Sequence, residues 1–107
     1  PQPHMLNESS EDLISYLSHP NGWWRQTAQK LLVIRNDASV IPQLKSIVEG
    51  NESLFSGWLG AKDFGIERLH ALWTLEGLNA IDQQLLKKAY ADKDARVRVA
   101  AIRISDT

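Results

Sequence analysis

Residues 22–35 read GWWRQTAQKLLVIR and residues 65–78 read GIERLHALWTLEGL. Both contain the string Arg-x-x-Ala-x-x-x-Leu, as Arg25, Ala28 and Leu32 and again as Arg68, Ala71 and Leu75. A degenerate third copy stands at Arg98, Ala101 and Ser105, so the steps are 43 and 30 residues. Helical-hairpin repeats run about 34 to 47 residues per unit, a range that holds the first step and lies just above the second. The unevenness has a compositional cause. GNESLFSGWLGAKDFG, residues 50–65, holds four glycines and no helical apolar period, as a loop insertion would.

Working outward, each motif sits on the second helix of a pair. In the first, Trp24, Ala28, Leu31 and Leu32 fall on one stripe of a helix from about Gly22 to Arg35, and Asn21 is suited to cap its free amides. In the second, from about Gly65 to Leu78, the residues Ile66, Leu69, Leu72, Trp73, Leu75 and Leu78 make the helix apolar nearly all round. That pattern predicts neighbours on several sides. Leading helices precede each: Leu13, Ile14 and Leu17 after Ser9 and Ser10; Val40, Ile41, Leu44, Ile47 and Val48 from about Ser39; Ile81, Leu85, Leu86 and Ala89 with Asp82 as N-cap. Pro42 is tolerable in a first turn, whose amides lack intrahelical acceptors, and Gly50 ends that helix. No period-two alternation persists, so no strands are expected. Ala28, Ala71 and Ala101 would give each second helix a small side chain where its neighbour approaches.

Composition narrows the class. With 107 residues there is room for one domain. A hydrophobic content of 43% with 23% charged residues is that of a folding chain. Twelve basic residues against thirteen acidic ones argue against a phosphate-backbone binder. No apolar run approaches the ~20 residues of a membrane span. The absence of cysteine removes disulfides, thiolate nucleophiles and thiolate metal sites, and leaves the redox compartment open. The chain begins Pro1-Gln2-Pro3-His4 and shows no leader pattern, which reads as an excised piece of a larger protein. The VRVAAIRI run near the end keeps one sticky face, as though a neighbouring domain or further repeat covered it.

The three pairs resemble HEAT repeats. More specifically, HPNGWWRQTAQKLLVIRND (19–37), RLHALWTLEGL (68–78) and DKDARVRVAA (92–101) resemble the HEAT segment of PVC-type membrane-bound dehydrogenases. The likeness runs from about Asp12 to Ile104, and the insertion from Gly50 to Phe64 departs from that family's compact linker. It implies an all-α fold, a short right-handed α-solenoid of three antiparallel helix pairs over residues 1–107. The repeats are placed at about 9–35, 38–78 with the insertion at 50–64, and 80–105. In that family a sugar-dehydrogenase-like β-propeller precedes the helical segment and a c-type haem domain follows it, in large secreted bacterial proteins. The resemblance therefore implies a periplasmic or extracytoplasmic scaffold whose partners are other domains of the parent chain or another protein. This stretch has no Cys-x-x-Cys-His, so haem, quinone and metal are not assigned to it.

Candidate sites follow the same division. Arg25, Arg68 and Arg98 are read as an internal ladder, each holding an acid or carbonyl of an adjacent turn, with Asp37, Asp92 and Asp94 as the available acids. His70 shares a stripe with Glu67 and Thr74, spacing that could build ligands or a proton-transfer pair, although a structural hydrogen bond is preferred. Trp23 and Trp24 point about 100° apart, so only one can face the core; Trp24 is assigned there and Trp23 to a turn or an adjoining surface. Phe55 and Trp58 in the glycine loop are candidates for partner contact, or for covering the loop's own core. No catalytic, cofactor-binding or metal set is assembled. The possible interaction surface is thus Trp23, Phe55, Trp58, Glu67 and His70. The expected role is a non-catalytic scaffold. An independent peptide- or protein-binding module is the alternative, and a nucleic-acid-processing helical-repeat enzyme a more remote one.

Overall fold

The computed structural model describes residues 3–50 and 63–106. Among these there are six α-helices and no strand: α1 (Ser10–Ser15), α2 (Gly22–Arg35), α3 (Ile41–Val48), α4 (Phe64–Gly77), α5 (Gln83–Tyr90) and α6 (Ala95–Ser105). Short 3-10 turns at Pro3–Asn7, Tyr16–Ser18 and Ala38–Val40 precede or join them.

Most helix starts are set by a short polar side chain accepting from an amide of the first turn. Ser9 accepts from Asp12 N, Asn21 from Trp23 N, Asp63 from Ile66 N, Asp82 from Leu85 N and Asp94 from Arg96 N. Before α3 the same device opens the 3-10 turn, where Asp37 accepts from Ser39 N at 3.0 Å. α3 then begins at Ile41, later than the expected Ser39, which places Pro42 in its first turn. Asp63 and Phe64, expected in the loop, are the cap and first residue of α4. The carboxylate of Asp63 makes a cap where the glycine pattern alone suggested loop. The remainder of the insertion, 51–62, lies outside the described residues. At the other end, Asn36 adopts a left-handed conformation (φ 51°) and its amide closes α2 onto the carbonyls of Leu32 and Val33. Asn79 does the same after α4, with φ 57°.

Packing follows chain order. α1 lies on α2, α3 on α4 and α5 on α6; α4 also packs on α2 and α6, and α3 on α5. α4 is therefore covered by α2, α3, α6 and the turn Tyr16–Ser18, which accounts for its near-continuous apolarity. Leu13, Ile14, Leu17, Leu32, Leu44, Leu72, Leu75 and Val97 are wholly buried in one core. Ala28, Ala71 and Ala101 are each 0% exposed. Closeness between helices shows also at Gly77, where an added Cβ would lie 2.6 Å from a Val33 methyl. The dimensions, 35 × 28 × 21 Å with a Cα radius of gyration of 12.7 Å, are those of a compact all-helical domain.

Candidate interaction surface

The three motif arginines hold turns. Arg25 donates through Nη1 to the carbonyls of His19 (2.6 Å) and Pro20 (3.0 Å), and Arg98 through Nη1 to the carbonyl of Asp92 (2.7 Å). Each braces the turn six residues before itself. Arg68 behaves differently. It reaches forward to the turn before α6 and makes a bidentate pair with Asp92, Nε to Oδ2 at 2.8 Å and Nη2 to Oδ1 at 2.9 Å. Arg25 and Arg98 stand four residues after their caps Asn21 and Asp94, whereas Arg68 stands five after Asp63.

Of the three acids anticipated as partners, only Asp92 takes a motif arginine through its carboxylate. Asp37 is spent on Ser39, and hydrogen bonding there holds its carboxyl below the usual range. Asp94 caps α6 and pairs with Arg96, whose guanidinium also reaches Asp63 at 2.8 Å. Arg96 thus ties the caps of α4 and α6 together. The hydrogen bonds from Arg96 draw the Asp94 carboxyl down to about 2. Only the Asp94-x-Arg96 spacing hinted at this; nothing in the chain order brings Asp63 alongside.

His70 is a crosslink between α2 and α4. Nδ1 lies 2.7 Å from Gln29 Oε1, and Arg25 Nε donates to Nε2 at 3.3 Å. Since the guanidinium can only donate, Nε2 must accept, and the proton resides on Nδ1. Burial, and then the Arg25 charge, push the imidazole down to about 4, so it is neutral at physiological pH. The hydroxyl of Thr74 donates to the His70 carbonyl at 2.6 Å, so it does not serve the ring. Glu67, proposed for an interaction surface, is 1% exposed; its charge contributes to the field that raises Arg68. It faces inward because α4 is covered on more sides than a two-faced helix would be.

The tandem tryptophans divide as their geometry requires. Trp24 stacks on His19 (centroids 4.8 Å, planes 12° apart) and meets Tyr16 at 5.1 Å. Tyr16 in turn donates to Glu8 at 2.6 Å, and burial first, then that contact, push its phenol up to about 12. Trp23 is 47% exposed and touches Trp24 edge-on. Phe55 and Trp58 fall outside the described residues.

Concavities between the helices of the described residues include two of note. A hollow of about 560 Å³ between α3 and α5 carries mixed charge, with Lys87, Lys88 and Lys93 beside Glu49 and the Arg68–Asp92 pair. The second, about 370 Å³, is a groove between α4 and α6 with Leu69, Trp73, Val99 and Ala100 as its apolar walls. Among the described residues its charged lining groups are Arg96 and Arg103, and no acid. Val99 is 49% exposed and Ile102, one turn along α6, is 54% exposed. The sequence marks this helix as sticky but not the groove, because Leu69 and Trp73 come from a different helix, α4.

No described helix is long and apolar enough to cross a membrane. Among the described residues, no three His, Asp or Glu side chains gather as a metal-binding group. No family model, no curated protein and no solved structure matches the chain.

Proposed function

We propose that the chain is a non-catalytic HEAT-like module, three helix pairs stacked in a row, that holds other protein surfaces at a set distance. One observation carries the reading: α4 packs between α2 and α6, and each of these three helices buries an alanine at the same motif position. Stacked hairpins of this kind hide apolar faces that none could bury alone. The arginine contacts support it, since each motif arginine holds a turn of its own or the next pair.

In its specific form, the module links a dehydrogenase-like propeller to a haem domain in an extracytoplasmic parent protein. The complete reading frame tests this: a propeller before the segment and a Cys-x-x-Cys-His domain after it are the expected outcome, and the absence of both overturns the linking role. A second reading, an independent protein-binding module, is favoured by the open groove between α4 and α6. Direct binding by the isolated chain distinguishes it, because a spacer alone retains nothing.

A further inference from the structure

We infer that the α4–α6 groove is a docking site for an acidic amphipathic helix of a separate protein partner. The inference rests on the stacked-module reading and adds the chemistry of the partner. Charge selects the occupant. The groove has apolar walls, Leu69 and Trp73 on one side and Val99 on the other, and among the described residues its ionic lining groups are two arginines. Arg96 is neutralised by Asp63 and Asp94. The Arg103 guanidinium makes no hydrogen bond or ion pair among the described residues, and it stands one turn after Val99 on α6. A segment that lays an apolar stripe against Trp73 and Val99 brings a flanking carboxylate to that guanidinium, which prefers bidentate carboxylate recognition.

Two other occupants fit less well. A second copy of this chain, pairing through α6, would set Arg98 and Arg103 against themselves, because ARVRVAAIRIS contains no acid to pair with them. Like charges across an interface disfavour that association. A further unit of the same chain would stack on the open side of α6 and cover Ile102, which is exposed but does not line the groove.

The test uses a fluorescein-labelled synthetic helix of about four turns, with leucines along one stripe and glutamates flanking it, and a second probe with lysines replacing the glutamates. Anisotropy should show the glutamate probe binding at least tenfold tighter than the lysine probe. Arg103→Gln should weaken it about tenfold, the scale of one lost charge-assisted contact. Val99→Asp, at a half-exposed site that tolerates change, should abolish it, and Ile34→Ser on α2 should leave it unchanged. Equal binding of the two probes overturns the proposal. So does a dimer in sedimentation equilibrium that Val99→Asp dissociates, or binding by this chain that a longer parent chain lacks. Amide exchange on the same samples separates the two levels. A protected α6 without probe binding refutes the groove alone, whereas an unprotected α6 refutes the stacked module beneath it.

Discussion

Replacing Asp92 by alanine breaks a buried ion pair. Its side chain is 6% exposed and that of Arg68 is 10% exposed, with two hydrogen bonds of 2.8 and 2.9 Å between them. Deleting one member of a buried pair strands the other, at a cost of about 3–5 kcal/mol. Asp92 Oδ1 also accepts from Asp94 N at 2.8 Å, closing the turn that starts α6, a bond of roughly 1 kcal/mol. Against this, the nearby Asp94 and Glu67 charges still favour the guanidinium, and the Arg98 bond to the Asp92 carbonyl is unaffected by the substitution. The expected loss is therefore near the lower bound, about 3 kcal/mol, a large share of the roughly 5–15 kcal/mol that holds a domain together. Urea denaturation at neutral pH, read as the midpoint at constant slope, measures it. The double variant Arg68→Met/Asp92→Leu should recover most of the loss, since apolar replacement leaves no charge stranded. A cost below about 1 kcal/mol for Asp92→Ala, or a double variant no better than the single, would show that the pair is solvated and the reasoning wrong.

His70 supplies a pH dependence. Its folded value of about 4 lies below the ordinary 6.5, so the neutral ring is favoured in the folded state and stability falls as pH drops from about 6.5 toward 4. The full displacement corresponds to about 3 kcal/mol, reduced to about 2 by solvent reaching the partly buried ring. Proton NMR of the imidazole should give a midpoint near 4, and His70→Asn should flatten the stability profile in that window; a midpoint above 6 contradicts the crosslink. Below about 4 a separate loss begins, because Asp63, Asp82 and Asp94 are held below the ordinary carboxylate value and lose their stabilising charge only as they protonate. Gly65→Ala should destabilise by about 1–2 kcal/mol despite the better helix propensity of alanine, because the new methyl collides with the Asp94 carboxylate that caps α6; an increase in melting temperature would refute that contact. Lys45→Ala, by contrast, should cost under about 0.5 kcal/mol, since its 2.9 Å pair with Asp82 has partners 33% and 52% exposed. A cost above about 1.5 kcal/mol would mean that the pair is desolvated.

Local physics was legible in the order of residues wherever cause and effect lie within one turn. Ser9, Asn21 and Asp82 advertise helix starts because a short polar side chain can reach only nearby amides. The buried stripe of Ala28 and Leu32 follows from the period of the helix, and so does the outward position of Trp23 beside the inward Trp24. The arginine motif announced turn-bracing contacts, and Arg25 and Arg98 make them with carbonyls six residues away.

What the chain order left open depends on which segments meet. Arg68 selects Asp92, 24 residues on, because α4 packs on α6 and brings the turn that starts α6 within its reach. Arg96 bridges Asp63 and Asp94, His70 locks between Gln29 and Arg25, and Glu67 is turned inward, each through helices distant in sequence and adjacent in space. The groove beside Arg103 has the same origin, with one wall from α4 and the other from α6. Helical period and capping act over a few residues and are written into the sequence by itself. The partner of a long side chain is decided by the offset between packed helices, a quantity that exists only once they have packed.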